Sequence, residues 1–255
     1  MLKHVKTEAI KDLARRAGKV IMAYYKLNDL DINYKADNSP VTAADLASNQ
    51  LICEELTKLH PSIPIISEEN DNYQSINKKL FWSIDPLDGT KGFLSHNGEF
   101  TVNIALIVNS SPIFGVIYSP LKDTLYYVDE DKIAYKQIAN HSPFPIKARS
   151  TPESGAVILT STFSNNQERL NTYLQNKYVD KIIPTASALK ICLIAEGSAD
   201  LYPRFGQTME WDTAAGHAIL KAAGGNIKTL DGIELSYGHS ELKYYNPEFI
   251  AHGKE

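Results

Sequence analysis

The chain has 255 residues, a formal net charge of -4 and no long run of lysine or arginine. Nucleic-acid binding relies on clustered cations that neutralise backbone phosphates, so this charge pattern argues against nucleic acid as a main partner. Hydrophobic residues make up 43% and charged residues 22%, which is typical of a globular chain and not of a disordered one. We therefore expect one large domain or two closely packed ones.

The N-terminal segment is charged and lacks the continuous apolar stretch of a secretory signal. No segment approaches the ~18 apolar residues that suggest a membrane span. The two cysteines, Cys53 and Cys192, lie far apart in apolar stretches and outside any C-x-x-C spacing, which indicates buried thiols in a reducing compartment. We expect a cytoplasmic protein. Peripheral association with the cytoplasmic face of the inner membrane and the oligomeric state stay open.

Residues 1–150 predict two helices followed by short strands. Apolar residues recur at helical spacing near the N-terminus, and residues 100–108 alternate, with Thr101, Asn103 and Ala105 on one side of a strand. Turn residues separate the later strands, which favours an antiparallel meander. The predicted elements are helices over 2–27 and from about Thr42, a polar loop over 70–79, and strands over 63–66, 80–84, 100–108, 113–118 and 124–128.

Three prolines, Pro143, Pro145 and Pro152, predict a domain boundary near residue 150. Beyond it, strands and helices alternate. The predicted elements of residues 151–255 are strands over 156–160 and 199–202, and helices over 165–178, 187–196 and 211–223, the last closed by Gly224 and Gly225. An interface between two such halves is a common place for a small-molecule site.

Acidic side chains gather where predicted apolar strands end. Glu68 and Glu69 follow one strand, Asp85 and Asp88 follow the next, and Asp212 begins a helix. Each alone has a structural interpretation: a solvated loop, an Asp-Gly turn, or an anion at a helix N-terminus. If the segments converge, carboxylates ~4 Å apart repel by about 4 kcal/mol at an effective dielectric of 20. Such a cluster needs protons or cations, and Mg²⁺ prefers oxygen ligands of this kind.

Other phosphate-handling motifs are absent from the sequence. The P-loop string G-x-x-x-x-G-K-[ST], glycine-rich dinucleotide fingerprints, H-E-x-x-H and G-x-S-x-G do not occur. Phosphatases that form an aspartyl-phosphate use two aspartates separated by one residue. Asp85 and Asp88 are separated by two residues, which disfavours that mechanism.

The acidic segments also resemble the inositol monophosphatase superfamily. The similarity lies in Asp85-Pro86-Leu87-Asp88-Gly89-Thr90, with Ser67-Glu68-Glu69 before it and Trp211-Asp212-Thr213-Ala214-Ala215-Gly216 after it. Residues 35–45, 97–107 and 201–206 look like the bisphosphate nucleotidase branch of that family. The resemblance implies an α+β fold, a layered αβαβα sandwich of the sugar-phosphatase type. It also implies a 1–150 domain with most metal ligands and a 151–255 domain with substrate-binding residues and one ligand.

The resemblance further implies the roles of individual residues. Thr90 would orient the attacking water, and Asp45 would accept the proton through the threonine hydroxyl. Without the resemblance, Asp45 reads as part of a capping box with Thr42, and one residue can serve both purposes. The implied ligands of two or three Mg²⁺ ions are Glu68, Asp85, the Leu87 carbonyl, Asp88 and Asp212. The implied substrate contacts are Glu68, Leu87, Asp88, Gly89, Thr90, Ser187, Lys190, Arg204 and Asp212.

The implied activity is hydrolysis of the 3'-phosphate of adenosine 3',5'-bisphosphate, with inhibition by lithium and a place in sulfur metabolism. Whether 3'-phosphoadenosine 5'-phosphosulfate is hydrolysed as well stays open. Inositol monophosphate or fructose 1,6-bisphosphate is the alternative substrate, and a non-catalytic nucleotide-binding protein is the alternative class. Lys91 fits the nucleotidase branch. Gly92, Ala186 and Ala188 depart from its usual residues, which leaves the substrate preference open. Lys190 and Arg204 could instead be an ordinary helix-surface lysine and a solvent-facing arginine.

Overall fold

The computed structural model describes residues 5–26, 32–34, 40–70, 79–163 and 166–255. The helices of these residues are α1 (Thr7–Tyr25), α2 (Ala43–Leu59), α3 (Thr90–Leu94), α4 (Gln167–Leu174), α5 (Leu189–Ala195), α6 (Glu210–Ala222) and a short 3₁₀ helix (Ser240–Leu242). The strands are β1 (Ile32–Tyr34), β2 (Pro40–Thr42), β3 (Ile65–Ser67), β4 (Leu80–Asp88), β5 (Thr101–Val108), β6 (Ser111–Ser119), β7 (Thr124–Val128), β8 (Ala134–Ile138), β9 (Phe144–Pro145), β10 (Ala156–Ser161), β11 (Val179–Thr185), β12 (Leu201–Arg204), β13 (Asn226–Thr229) and β14 (Phe249–His252).

The larger sheet has seven strands in the order β3-β4-β5-β6-β7-β8-β9. Only β3 and β4 pair in parallel, and every later neighbour is antiparallel. Strands β4 to β7 are almost entirely buried, because both faces of the sheet carry helices. The predicted antiparallel meander is confirmed.

The smaller sheet has five strands in the order β11-β10-β12-β14-β13. Strand β10 pairs in parallel with β11 and β12, whereas β14 runs antiparallel to both β12 and β13. A separate two-stranded sheet joins β1 to β2.

Five layers follow from how the helices cover the two sheets. Helices α1 and α2 pack on the outer face of the larger sheet, α5 and α6 lie between the sheets, and α4 covers the outer face of the smaller sheet. Gly115 allows the close approach of β6 to α6, because a Cβ there would lie 2.3 Å from the Ala215 carbonyl oxygen. The predicted αβαβα arrangement is confirmed.

Several elements differ from the sequence prediction. The helix predicted over 165–178 spans only Gln167–Leu174, where Leu170 is its one buried residue, so it has little apolar face to extend it. The chain then enters β11, which pairs with β10. Strands β8, β9, β11, β13 and β14 and helix α3 were not predicted, because their pattern depends on pairing and packing partners. Most of the predicted polar loop over 70–79 and both ends of the helix predicted over 2–27 lie outside the described residues.

The boundary near residue 150 stays a prediction. Strand β9 ends at Pro145 and β10 begins at Ala156, so the two sheets do use different parts of the chain. Helix α6, however, packs against β4, β5 and β6 of the larger sheet and β13 of the smaller one.

In the part of the chain that the structure describes, every helix is too short or too polar to cross a bilayer.

An ion pair between a partly exposed arginine and a buried aspartate connects the segment between the sheets to the smaller sheet. Arg149 donates through Nε and Nη2 to Asp200, at 2.8 and 3.0 Å. Asp200 also accepts the Val157 N–H at 2.7 Å and is only 1% exposed. The Asp200 carboxylate therefore satisfies the Val157 N–H of β10, which is buried away from water.

We predict that Asp200→Ala lowers the free energy of unfolding by about 1–3 kcal/mol, because it leaves the buried Val157 N–H without an acceptor. Urea unfolding monitored by circular dichroism measures this. Asp231→Ala, at an exposed turn position, is the control and should change stability by less than about 0.5 kcal/mol. Equal effects of the two substitutions would contradict the prediction.

Candidate active site

A bulge in β4 brings Asp85 and Asp88 to the same side of the larger sheet. In a regular strand, residues three positions apart point to opposite faces. Here Asp85 pairs with Asn103 and Asp88 pairs with Thr101, so three steps on β4 match two steps on β5. The extra residue turns the second carboxylate back to the face of the first.

Helix α6 supplies the third carboxylate. Asp212 lies in its first turn, and its Oδ2 accepts the Met209 N–H at 2.8 Å. Carboxylates are favoured at this position because they satisfy a free amide and face the positive end of the helix dipole. The cap occupies one carboxylate oxygen and fixes the direction of the other.

Asp85, Asp88 and Asp212 converge, as predicted. Each offers a carboxylate oxygen, and these atoms lie within 4.8 Å of one another. Burial, followed by the charge of Glu68, raises the pKa of Asp85 well above its usual value, and burial likewise raises the pKa of Asp88 and of Asp212. A buried cluster of this kind takes up protons or a cation. Three hard oxygen donors fit a divalent cation such as Mg²⁺.

Among the described residues, Asp88 is held through one carboxylate oxygen. Its Oδ2 accepts from the Ala188 N–H at 2.5 Å and from the Asn103 amide at 3.3 Å. The Thr101 hydroxyl lies 3.4 Å from the same oxygen and donates to Asn103 Oδ1 at 2.9 Å, so it orients the Asn103 amide. These contacts orient the carboxylate. Sequence reasoning missed Thr101 and Asn103, although both were predicted on one side of a strand. Polar side chains within an otherwise apolar strand were the available signal.

Glu68 and Leu87 complete the predicted ligand set. Glu68 follows β3, its N–H bonds to the Ile84 carbonyl at 3.1 Å, and its side chain lines the cleft described below. The Leu87 N–H donates to Asp85 Oδ1 at 3.0 Å, and its carbonyl oxygen lies 3.4 Å from the Thr90 hydroxyl. Both residues are therefore placed beside the three aspartates.

Asp45 and Thr90 meet at the start of two helices. Asp45 is 2% exposed, and its Oδ2 accepts the Thr42 N–H at 2.8 Å and the Thr42 hydroxyl at 2.6 Å. The predicted capping box is confirmed. The other oxygen, Oδ1, accepts the Thr90 hydroxyl at 3.3 Å. The capping interpretation and the contact with Thr90 hold at once, because each uses a different carboxylate oxygen.

A cleft of about 230 Å³ opens from the aspartates toward the smaller sheet. Lys190 is 5% exposed, so it is not a helix-surface lysine, and its ammonium lies 5.0 Å from the centre of the Tyr202 ring. Arg204 donates to the Gly206 and Gln207 carbonyls. The predicted residues that line the cleft are Glu68, Asp88, Gly89, Thr90, Ser187, Lys190, Arg204 and Asp212.

Other lining residues were not predicted from the sequence. Phe163 and Ser161 come from the end of β10, whereas Tyr202 and Phe249 come from β12 and β14. No short motif joins them, because distant parts of the chain meet at this cleft only after the smaller sheet has formed.

The chain belongs to the inositol monophosphatase family, whose model matches residues 2–253. A curated relative, the 3'(2'),5'-bisphosphate nucleotidase CysQ of Buchnera aphidicola, is 45% identical over 96% of this chain and 92% of its own length. The crystal structure of CysQ from Bacteroides thetaiotaomicron has a TM-score of 0.77 and 34% identity, covering 98% of both chains. An inositol monophosphatase structure from Anabaena has a TM-score of 0.74 and 26% identity, covering 97% of this chain and 89% of that one.

The raised pKa values of the aspartates predict how a cation stabilises the fold. Their folded pKa values lie above the ordinary value of 3.8. The cation-free protein therefore loses stability as pH rises from about 4 through those values. We predict that MgCl₂ stabilises the fold more at pH 8 than at pH 5, and that the stabilisation at pH 8 is about 2.7 kcal/mol at a concentration of 100 times the Kd.

Melting temperatures with and without MgCl₂ at the two pH values measure this difference. The double variant Asp85→Asn with Asp88→Asn is the control and should show little magnesium-dependent shift at either pH. A shift that is equal at both pH values, or larger at pH 5, would contradict the cluster as a cation site.

Proposed function

We propose that this chain hydrolyses the 3'-phosphate of adenosine 3',5'-bisphosphate to give AMP and phosphate, with Mg²⁺ as cofactor. The observation that carries the proposal is the convergence of Asp85, Asp88 and Asp212 at one end of a cleft whose other side holds Lys190 and Arg204. An acidic cluster serves the reacting phosphate through cations, and the basic side chains suit a second phosphate. Relatives that carry the bisphosphate nucleotidase name support the same substrate.

In this proposal, Glu68, Asp85, Asp88, Asp212 and the Leu87 carbonyl would hold two or three Mg²⁺ ions. The bound cations would supply neutralisation of the charge on the transferred phosphoryl group. The protein orients the carboxylates. The cap on Asp212 and the two N–H donors on Asp88 leave each carboxylate one defined direction for its remaining oxygen.

Thr90 and Asp45 form a path for the proton of the attacking water. The Thr90 hydroxyl donates to Asp45 Oδ1 at 3.3 Å, so the lone pairs of Thr90 Oγ1 are directed away from Asp45. Water that donates to Thr90 is thereby oriented, and its proton can replace the one that Thr90 passes to Asp45. The capping bonds from Thr42 keep Asp45 in place during this transfer.

Lys190 and Arg204 would meet the second phosphate of the substrate. Lys190 lies in helix α5 with its ammonium near the Ser187 and Thr185 carbonyls, and Arg204 ends β12. Both line the cleft together with Asp88 and Asp212. A substrate with a single phosphate would place no phosphate beside these two cations, which favours a bisphosphate.

Substrate profiling at a fixed MgCl₂ concentration tests the proposal. We predict that kcat/KM for adenosine 3',5'-bisphosphate exceeds that for inositol 1-phosphate and for fructose 1,6-bisphosphate by at least about tenfold. Inositol 1-phosphate lacks a second phosphate, and fructose 1,6-bisphosphate lacks a base that could contact the aromatic side chains of the cleft. Phosphate release and AMP formation are measured together. Faster hydrolysis of inositol 1-phosphate would overturn the substrate assignment.

Thr90→Ala is the control for contaminating phosphatases and should lower kcat by about 100-fold or more, since it removes the hydroxyl that relays the proton. Thr90→Ser keeps the hydroxyl and should retain most of the activity. Hydrolysis that is unchanged in Thr90→Ala would show that the activity does not come from this site.

The buried position of Lys190 predicts a pH dependence. Burial lowers the pKa of Lys190 to about 8, although the charge of Asp88 opposes the shift. We predict that kcat/KM for the bisphosphate falls about tenfold per pH unit above pH ~8, as the ammonium loses its proton. Lys190→Arg keeps its charge in this range, so its profile should stay flat there. If kcat/KM falls equally with pH in the wild type and in Lys190→Arg, Lys190 does not supply the titrating charge.

A further inference from the structure

The turn over residues 185–188 is held by charged side chains from three different elements. The Ala186 N–H donates to Glu99 Oε2 at 2.8 Å, and the Ala188 N–H donates to Asp88 Oδ2 at 2.5 Å. The Lys190 ammonium donates to the Thr185 and Ser187 carbonyls at 3.2 and 2.6 Å. A short backbone segment whose polar groups bond to charges is held more firmly than one bonded to neutral partners.

The turn also contains a strained residue at the cleft. Ser187 has a φ of 57°, a left-handed conformation that non-glycine residues adopt rarely and at an energetic cost. Ser187 lines the cleft beside Gly89, and a Cβ at Gly89 would lie 3.3 Å from the Ser187 Cβ. The surrounding hydrogen bonds must therefore keep Ser187 in this conformation.

Backbone contacts hold Glu99 against the segment Asp88-Gly89-Thr90. Its N–H donates to Asn97 Oδ1 at 2.8 Å, and the Asn97 N–H donates to the Gly92 carbonyl at 3.1 Å. The Glu99 carbonyl oxygen lies 2.8 Å from the position that a Cβ of Gly89 would occupy. Glu99 therefore contacts the Asp88-Gly89-Thr90 segment through its backbone and the 185–188 turn through its carboxylate.

Gly92 makes this placement possible. A Cβ at position 92 would lie 2.7 Å from Asn97 Oδ1 and 3.0 Å from the Glu99 carbonyl oxygen. Both distances are too short for an ordinary contact, so a side chain at position 92 would push the 97–99 segment outward. Gly92 departs from the usual residue of the nucleotidase branch, and in this chain the close packing of Asn97 and Glu99 leaves no room for a side chain there.

We propose that Glu99 is a positioning residue for substrate binding: by holding the Ala186 N–H, it fixes the 185–188 turn so that Ser187 and Lys190 face the cleft. Glu99 acts through the turn and not on the reacting phosphate. Its removal therefore affects binding of the second phosphate more than the chemical step. The predicted effect on KM for the bisphosphate rests on the proposed function. The predicted ordering of the 185–188 turn by Glu99 does not depend on it.

The test compares three substitutions at Glu99 with a substitution of a distant, exposed glutamate. Glu99→Ala removes the acceptor, Glu99→Met removes it while keeping the side-chain length, and Glu99→Gln keeps an amide oxygen that can accept the Ala186 N–H. Glu130→Ala is the control, because Glu130 is exposed on the turn after β7, at the opposite end of the larger sheet. Melting temperatures establish that each variant is folded.

We expect Glu99→Ala and Glu99→Met to raise KM for adenosine 3',5'-bisphosphate about tenfold, the loss typical of one charge-assisted hydrogen bond, with kcat changed less than about threefold. Glu99→Gln should stay within about threefold of the wild type in KM, and Glu130→Ala should match it. A loss of kcat at constant KM, or a Glu99→Gln variant as impaired as Glu99→Ala, would overturn the proposal.

Amide hydrogen exchange, followed by mass spectrometry without substrate, gives a readout that does not depend on activity. Peptides covering residues 185–190 should exchange faster in Glu99→Ala and Glu99→Met than in the wild type. Glu99→Gln should exchange at a rate between these and the wild type, because its neutral amide oxygen still accepts the Ala186 N–H but binds it more weakly. Unchanged exchange in Glu99→Ala would overturn the positioning role. If the wild type does not hydrolyse the bisphosphate, the proposed function fails, while the exchange experiment still decides whether Glu99 orders the turn.

Discussion

Mutual repulsion among Asp85, Asp88 and Asp212 is the constraint on which the rest of the site depends. Their oxygens lie within 4.8 Å of one another, and burial raises the pKa of each. The fold brings them together through a bulge in β4 and the first turn of α6. Such a cluster becomes favourable at neutral pH when a divalent cation replaces the missing protons, so folding and cation binding are linked.

The same cluster joins the larger sheet to the helices between the sheets. Asp85 and Asp88 belong to the larger sheet, Asp212 lies in the first turn of α6, and the Ala188 N–H at the start of α5 donates directly to Asp88. The Glu99 carboxylate accepts the nearby Ala186 N–H. Hydrogen bonds of Asp88 and Glu99 thus connect the residues proposed to hold cations with those proposed to bind the substrate. Binding of cation and binding of nucleotide should favour each other, and any such coupling is reciprocal.

Much of the site could be predicted from sequence because it lies in short motifs. Asp85, Asp88 and Thr90 are close in the chain, and the capping box of Asp45 follows from local spacing. The convergence on Asp212 could not be derived from local pattern alone, since it depends on how α6 packs. Glu99, Thr101, Asn103 and Tyr202 lie in stretches that resemble the nucleotidase branch, but the resemblance assigned no contact to them. Their contacts could not be predicted, because their partners lie far away in sequence. In the fold, β11, β13 and β14 were missed for the same reason.

We expect Asp85, Asp88 and Asp212 to form a divalent cation site at the end of the cleft. Anomalous diffraction from a crystal soaked in Mn²⁺, which prefers the same oxygen ligands as Mg²⁺, locates such a site. An anomalous peak is expected about 2.0–2.3 Å from oxygens of these carboxylates, and it should disappear in a crystal of the Asp85→Asn, Asp88→Asn double variant. A peak only elsewhere on the protein, or none in the wild type at saturating Mn²⁺, would contradict it.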